Sequence, residues 1–284
     1  MRAGALLWSL DALTVAALVL VAVLYARGWR RLRRRMPGRF TWPRLLAFMI
    51  GLDLLLVAVS PPMEALALQS LAVHMGQHLI LMMLVAPLLW LGAPLAPVLR
   101  GLPGRAMRAA IAVFSRAPAR CVGHVLANPV IGWTSFAVVV WLWHVPALYE
   151  RALQSDGWHH LQHAAFIASG LLFWWPVVQP WPSRPRWPRW AMIPYLLLAD
   201  VQNTVLAAIF TFAGRVLYPT YATAARAGQS ALDDQILAGV IMWGPGSLIF
   251  LIPAGWLVLA LLQPTGTPRD SGTAEIRPLP EVGL

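Results

Sequence analysis

The sequence predicts an all-α fold, a polytopic transmembrane helix bundle with seven spans. Of the 284 residues, 59% are hydrophobic and only 12% are charged, whereas a soluble globular domain carries about 25% charged residues. Several stretches of about 20 residues carry almost no charge, which is the length that crosses the hydrocarbon core of a bilayer. The spans are predicted to be helical, because an open sheet cannot satisfy its backbone hydrogen bonds inside lipid.

Seven apolar segments define the spans. They cover residues 5–25, 43–60, 66–91, 128–149, 158–178, 191–212 and 234–262. The first is too long for the apolar region of a secretory signal, and its dense positive charge follows it, so we expect it to be retained. Residues 1–264 would form one transmembrane domain, and residues 265–284, rich in Pro, Gly, Thr and Glu, a disordered cytoplasmic tail.

Two further elements are expected from local patterns. Ser60, followed by two prolines and by Glu64, is typical of a helix start, so the third helix is expected to begin near Pro61 and to reach Leu91. Residues 104–116 alternate arginines with apolar residues and predict a short amphipathic helix at the cytoplasmic surface.

The arginines predict the orientation of the bundle. All 22 basic residues are Arg, and eighteen of them fall in the first, third and fifth connections, beside span two, or in the tail. Only Arg2, Arg151, Arg215 and Arg226 fall on the other side. The positive-inside rule therefore predicts an outer N-terminus and a cytoplasmic C-terminus.

Because the positive charge brackets apolar spans, the net charge of +11 does not indicate a nucleic-acid partner. The single cysteine, Cys121, excludes an intrachain disulfide and a CxxC metal site.

Six of the seven histidines fall into three clusters near the outer ends of spans three, four and five. They are His74 and His78; His144; and His159, His160 and His163. The pairs 74/78 and 159/163 are spaced i,i+4 and share a helix face. A short loop makes spans four and five antiparallel neighbours, which brings His144 level with the third cluster. Isolated histidines at this depth are often interfacial side chains, but ionisable groups within a membrane are costly and usually mark function.

Such a cluster predicts a metal site, since neutral imidazole binds Cu, Zn, Fe and Ni. We expect ligands from His74, His78, His144, His159 and His163, with His160, Asp234 and Met242 as possible additions. Asp233 and Asp234 begin span seven, where capping of that helix is an equally good role. A methionine in a membrane helix is more often packing than ligand.

At these residues the sequence resembles the polytopic CtaG-type cytochrome c oxidase assembly factors. The matching segments are HMGQHLILMMLVAPLLWLGAP at 74–94, WHVPALYERAL at 143–153, HHLQHAAFIASGLLFWWP at 159–176, YPTYA at 218–222 and DQILAGVIMW at 234–243. The resemblance implies a multi-pass protein of the bacterial inner membrane that helps to mature a haem–copper oxidase. It implies copper as the ligand, oxidase subunits and periplasmic copper chaperones as partners, and a role as metallochaperone rather than enzyme.

Two other functions fit the histidines. Paired histidines on facing helices could ligate a haem. The spacings HxxxH and HHxxH also occur in membrane di-iron desaturases, but those sites use about eight histidines and face the cytoplasm. HExxH and Walker-type loops are absent from the sequence, so a zinc protease and a nucleotide-driven pump are not indicated.

Overall fold

The computed structural model describes residues 12–223 and 230–263, and all regular structure in those ranges is helical. Five helices are long and apolar enough to cross a membrane, and two bent helix pairs raise the number to as many as seven. The all-helical prediction is therefore confirmed for these residues. The predicted tail, residues 265–284, lies outside the described ranges.

The helices are numbered here in chain order. They are α1 Ala12–Arg35, α2 Trp42–Ala58, α3 Pro61–Ala67, α4 Leu71–Leu91, α5 Leu95–Gly101, α6 Gly104–Phe114, α7 Ala117–Leu126, α8 Pro129–Trp143, α9 Pro146–Leu153, α10 Asp156–Val178, α11 Met192–Phe212, α12 Pro219–Thr223 and α13 Ala231–Leu262. The amphipathic helix predicted at 104–116 is present as α6. The most extensive helix packing joins α11 to α13, and α2, α10 and α13 pack around α4.

The predicted start of the third helix is wrong. The prolines at 61 and 62 begin α3, a short helix bent by 55° from α2 that ends at Ala67, and α4 begins separately at Leu71. Ser70 caps this second start by accepting a hydrogen bond from the Val73 N–H. The carboxylate of Asp234 accepts two more, from the Ser70 hydroxyl at 2.7 Å and from the Leu71 N–H at 2.6 Å. Donors that would be left unpaired at a helix start are thus satisfied.

The fourth span also ends earlier than predicted. It forms α8, which stops at Trp143 with His144 as its C-terminal cap. Pro146 then begins α9, as expected for a residue with no N–H to donate and with φ already set for the first turn of a helix. The first helix, in contrast, continues ten residues past its predicted end at residue 25, to Arg35.

Helix α4 contains a π-helical segment, Ile80–Val85. A π-helix pairs each carbonyl with the N–H five residues on. For Met82 that residue is Pro87, which has no N–H. The indole N–H of Trp174 on α10 donates to the Met82 carbonyl instead, at 3.1 Å. This bond fixes α4 against α10, the two helices that carry five of the histidines.

Gly170 lets these helices approach closely. A Cβ atom at this position would lie 2.8 Å from the Met82 carbonyl oxygen and 3.0 Å from its Cα. We therefore expect Gly170→Ala to destabilise the protein by about 1–3 kcal/mol, the usual cost of overpacking a core. Gly76→Ala on α4 is the matched control, because a Cβ there would meet nothing within 4 Å. Thermal unfolding in detergent, followed by tryptophan fluorescence, measures both; equal midpoints would contradict the prediction.

The two ends of the bundle differ in character. Helices α4 and α10 both begin with histidines and run toward the arginine-bearing connections. At that second end a cleft of about 500 Å³ is lined by Arg120, Arg184 and Arg186, together with the start of α8 and the end of α10. None of the six clustered histidines lines this cleft.

Candidate metal centre

The three histidine clusters converge at one end of the bundle. His74 and His78 lie in the first turns of α4, His144 caps α8, and His159 and His163 lie in the first turns of α10. Ring centroids are separated by 4.4 Å for His74–His78, 4.2 Å for His159–His163, 5.3 Å for His74–His159, 5.7 Å for His78–His163 and 6.4 Å for His78–His144. The sequence expectation that these histidines meet is confirmed.

Burial separates these histidines from the sixth. His74 is completely buried, and the exposed fractions of His78, His159 and His163 are 3%, 8% and 4%. His144 is half-buried, whereas His160 is exposed. His160 therefore points away from the group that its neighbours form.

Two overlapping sets of side chains have the geometry to hold an ion. One nitrogen from each of His74, His78 and His163 lies within 4.8 Å of the others, and the same holds for one ligand atom from each of Glu64, His159 and His163. Metal–nitrogen bonds of about 2.1 Å in tetrahedral coordination place ligands roughly 3.4 Å apart. Small side-chain rotations would therefore close either set around an ion.

The tautomer of His74 follows from its hydrogen-bond partners. Its Nδ1 lies 2.8 Å from the Tyr221 hydroxyl, and that hydroxyl donates its only proton to the Ala67 carbonyl at 2.9 Å. The Tyr221 oxygen must therefore accept from the His74 Nδ1–H. The Nε2 atom of His74 is then an unprotonated lone pair. A metal-ligating histidine usually donates a hydrogen bond from the ring nitrogen that does not bind the metal, and this bond fixes its tautomer.

His144 is fixed in the same tautomer by a different partner. Its Nδ1 lies 2.6 Å from the Val140 carbonyl, which can only accept, so Nδ1 carries the proton. The Nε2 atom is again left with a free lone pair. A cleft of about 240 Å³ between α8 and α11 reaches His144 from the outside of the bundle.

Buried histidine nitrogens without a hydrogen-bond partner are the most unusual feature of this site. Among the described residues, Nε2 of all five buried or half-buried histidines lacks a partner, as does Nδ1 of His78. They belong to His74, His78, His144, His159 and His163. Buried polar atoms are nearly always satisfied, and each exception requires an explanation. Five such nitrogens in one cluster could all be satisfied together by a bound cation.

Three tyrosines surround the histidines, and none of them is among the site residues predicted from the sequence. The ring of Tyr149 lies 5.2 Å from that of His74 and stacks on Tyr218 at 4.1 Å. The Tyr218 and Tyr221 hydroxyls donate hydrogen bonds to the backbone carbonyls of His144 and Ala67. The Tyr149 hydroxyl is buried without a hydrogen-bond partner among the described residues.

Hydrogen bonds hold the tyrosine segment in place. Tyr218 donates to the His144 carbonyl at 2.9 Å, and the Glu150 carboxylate accepts from the backbone N–H and the hydroxyl of Thr220. Gln235 accepts from the Leu217 N–H at 2.7 Å. The segments YPTYA, WHVPALYERAL and DQ contain these residues, so the resemblance marked their positions without indicating their contacts.

The possible additional ligands lie apart from both sets. Asp234 uses its two carboxylate oxygens to cap α4. Asp233 forms a capping box with Ser230 at the start of α13. Met242 is buried in the apolar core, where its backbone carbonyl accepts a hydrogen bond from Asn203. Neither Asp234 nor His160 belongs to a set of potential ligands. Asp234 lies in the first turn of α13 but caps α4, and the sequence pattern could not indicate this contact between helices.

The capping role of Asp234 predicts the behaviour of a conservative variant. Asn also accepts hydrogen bonds at a helix N-terminus, so Asp234→Asn should keep α4 in place. We expect metal affinity to change by less than about threefold and the unfolding midpoint to fall slightly, because a charge-assisted bond is lost. Metal titration and thermal unfolding measure the two effects. A large loss of affinity in this variant would instead make Asp234 a ligand.

The chain is similar to part of longer mycobacterial proteins. The chain is 29% identical over 254 residues to Uncharacterized protein Mb0105 of Mycobacterium bovis, covering 83% of this chain and 36% of that protein. It is 24% identical over 263 residues to Uncharacterized protein ML1998 of Mycobacterium leprae, covering 86% and 38%. The chain thus spans a little over a third of the length of these curated relatives. No solved structure matches it.

The family match covers most of the chain and includes the histidine site. The sequence model of the cytochrome c oxidase caa3 assembly factors (Caa3_CtaG) matches residues 23–263, which include both sets of potential ligands. The chain therefore belongs to the Caa3_CtaG family of cytochrome c oxidase assembly factors.

Proposed function

We propose that this protein binds copper through its buried histidines and delivers it to a caa3-type cytochrome c oxidase during assembly, or holds it while the oxidase acquires it. The observation that carries the proposal is the group of five unpartnered histidine Nε2 atoms in one cluster. Imidazole is a good ligand for copper. Family membership supplies the assembly context.

The proposed location is the periplasmic side of the bacterial inner membrane. The histidines lie at the end of α4 and α10 opposite the arginine-lined cleft, and arginine-rich connections favour the cytoplasm. Reporter fusions after residues 62 and 155 should both give a periplasmic signal. A cytoplasmic signal from both would favour a di-iron enzyme instead.

A bare ion fits the cluster better than a haem. Bis-histidine ligation places a porphyrin between two facing imidazoles. Here His74 and His78 lie edge to face at 4.4 Å, and the Tyr149 and Phe166 rings fill the space beside them. Purified protein should therefore lack a Soret band, and a Soret band would reverse this preference.

Copper titration tests the proposal directly. The protein, purified in detergent under anaerobic conditions, should take up one or two Cu(I) ions in competition with a chromophoric chelator. The quadruple alanine variant of His74, His78, His144 and His163 should take up none. In cells lacking the protein, wild type should restore the copper content and activity of the oxidase and the quadruple variant should not. Equal copper stoichiometry in the two proteins would reject the proposal.

The periplasmic partners follow from the same proposal. Copper must reach the histidine cluster and leave it by ligand exchange, so the donor is expected to be a soluble copper chaperone and the acceptor an oxidase subunit. Crosslinking from the loop before α10, at residues 154–155, is expected to capture an oxidase subunit.

A further inference from the structure

A second set of ligands lies beside the buried histidines and includes a carboxylate. We propose that Glu64, His159 and His163 form an outer metal site through which the ion passes to His74, His78 and His163. This inference rests on the proposed copper-binding function and adds a route and a new ligand, Glu64. The sequence pattern marks Glu64 only as an early acid at a helix start and indicates no role in metal binding.

The break between α3 and α4 puts Glu64 in position. Helix α3 ends at Ala67, and α4 starts afresh at Leu71 after the extended Ser70, so Glu64 does not follow the helical register of α4. A carboxylate oxygen of Glu64 lies within 4.8 Å of ligand atoms of His159 and His163. The Ala67 carbonyl accepts the hydrogen bond from Tyr221, which also fixes His74. One short helix thus supports the inner set and supplies the carboxylate of the outer set.

Burial orders the two sets along a path from the surface inward. Glu64 is half-buried. Its carboxyl group is close enough to the exposed side chains of His160 and Asp156 to interact with them electrostatically. In the inner set, His74 has no exposed surface and His78 only 3%. An ion arriving from the surface therefore meets the outer set first.

The ligand chemistry of the two sets matches this order. The outer set carries one negative charge and attracts a cation that is still partly hydrated, whereas the inner set is a neutral group of three imidazoles. His163 belongs to both sets. An ion can keep its bond to His163 while Glu64 and His159 are exchanged for His74 and His78. The His74 and His159 rings are only 5.3 Å apart, so the leaving ligand and the entering ligand are neighbours.

Sharing of His163 also means that the sites are used in turn rather than together. Each imidazole and carboxylate is released unchanged when the ion moves on, so the transfer requires no oxidant, reductant or net proton change. The outer site would then determine how fast the inner site fills, and the inner site would determine how tightly the ion is held.

The outer site can be measured alone by removing the inner one. In His78→Ala, Co(II) should still bind once per protein, with visible absorption bands that report its ligands. In the double variant His78→Ala/Glu64→Gln, Co(II) affinity should fall at least tenfold. The matched control is His78→Ala/Asp156→Asn, which removes the same charge from the same surface but no ligand. It should change Co(II) affinity less than threefold.

A second experiment uses the intact inner site and does not depend on the stability of the His78 variant. Glu64→Gln alone should bind Cu(I) with wild-type stoichiometry and near wild-type affinity, but should load from a competing chelator about tenfold more slowly in stopped-flow measurements. Asp156→Asn should load within threefold of wild type.

The outcomes separate this inference from the function on which it rests. Wild-type loading by Glu64→Gln, or equal Co(II) binding in His78→Ala with and without Glu64, would overturn the outer site while leaving copper binding intact. Equal effects of Glu64→Gln and Asp156→Asn would also overturn it, because they would reduce Glu64 to a surface charge. Absence of Cu(I) binding by the wild-type protein would instead reject the proposed function.

Discussion

Replacing His163 by alanine is expected to abolish tight copper binding, with a loss of affinity of at least 100-fold. His163 is the residue shared by both sets of potential ligands, so its removal leaves neither set with more than two members. Other single histidine variants leave one set complete. Chelator competition with Cu(I) measures the effect, and oxidase activity in complemented cells should be lost in parallel.

The control for this prediction lies one helical turn away. His160→Ala removes an imidazole from the same helix and the same end of the bundle, but His160 is exposed and belongs to neither set. Its copper affinity should remain within about twofold of wild type. Thermal unfolding of both variants checks that α10 is intact. Tight copper binding by a folded His163→Ala protein would contradict the assignment.

Tyr221→Phe is expected to weaken copper binding about 10–100-fold without removing any ligand, which is the usual cost of losing a partner that orients a ligating histidine. The Tyr221 oxygen accepts the His74 Nδ1–H and donates to the Ala67 carbonyl. Phenylalanine keeps the ring and removes both bonds. His74 is then free to rotate or to place its proton on Nε2, where a metal cannot bind.

Tyr218→Phe separates this effect from general packing. Tyr218 is buried beside the same cluster and stacks on Tyr149, but its hydroxyl donates to the His144 backbone carbonyl and does not accept from an imidazole. Its loss should cost about 1 kcal/mol of stability and leave copper affinity nearly unchanged. Equal losses of affinity in the two variants would mean that Tyr221 acts only through packing.

Regular helical spacing explains what the sequence could predict. His74 with His78, and His159 with His163, share helix faces because four residues complete about one turn. The short connection through α9 forces α8 and α10 to be antiparallel neighbours, which brings His144 to the same level. Hydropathy located the helices for a second reason. An apolar segment that crosses lipid must satisfy its backbone hydrogen bonds within itself, and an α-helix does so.

Contacts between distant segments explain what the sequence could not predict. Asp234 caps α4 from 163 residues away, so the pattern at Pro61 predicted one long helix where there are two. The position of Glu64 beside the histidines depends on that break, so it could not be predicted from a single continuous helix. Tyr221 reaches His74 across 147 residues, and no periodicity relates the two positions.

The π-helical segment of α4 also determines which way the histidines face. His78 and Trp90 are twelve residues apart, and an uninterrupted α-helix would place them about 120° apart around its axis, at about 100° per residue. A π-bulge adds one residue without adding its rotation, which reduces the angle to roughly 20°. Both side chains therefore face α10, where Trp90 donates to the Leu171 carbonyl and His78 meets His163. The π-helical segment thus lets one helix direct Trp90 and the candidate ligand His78 at the same neighbouring helix.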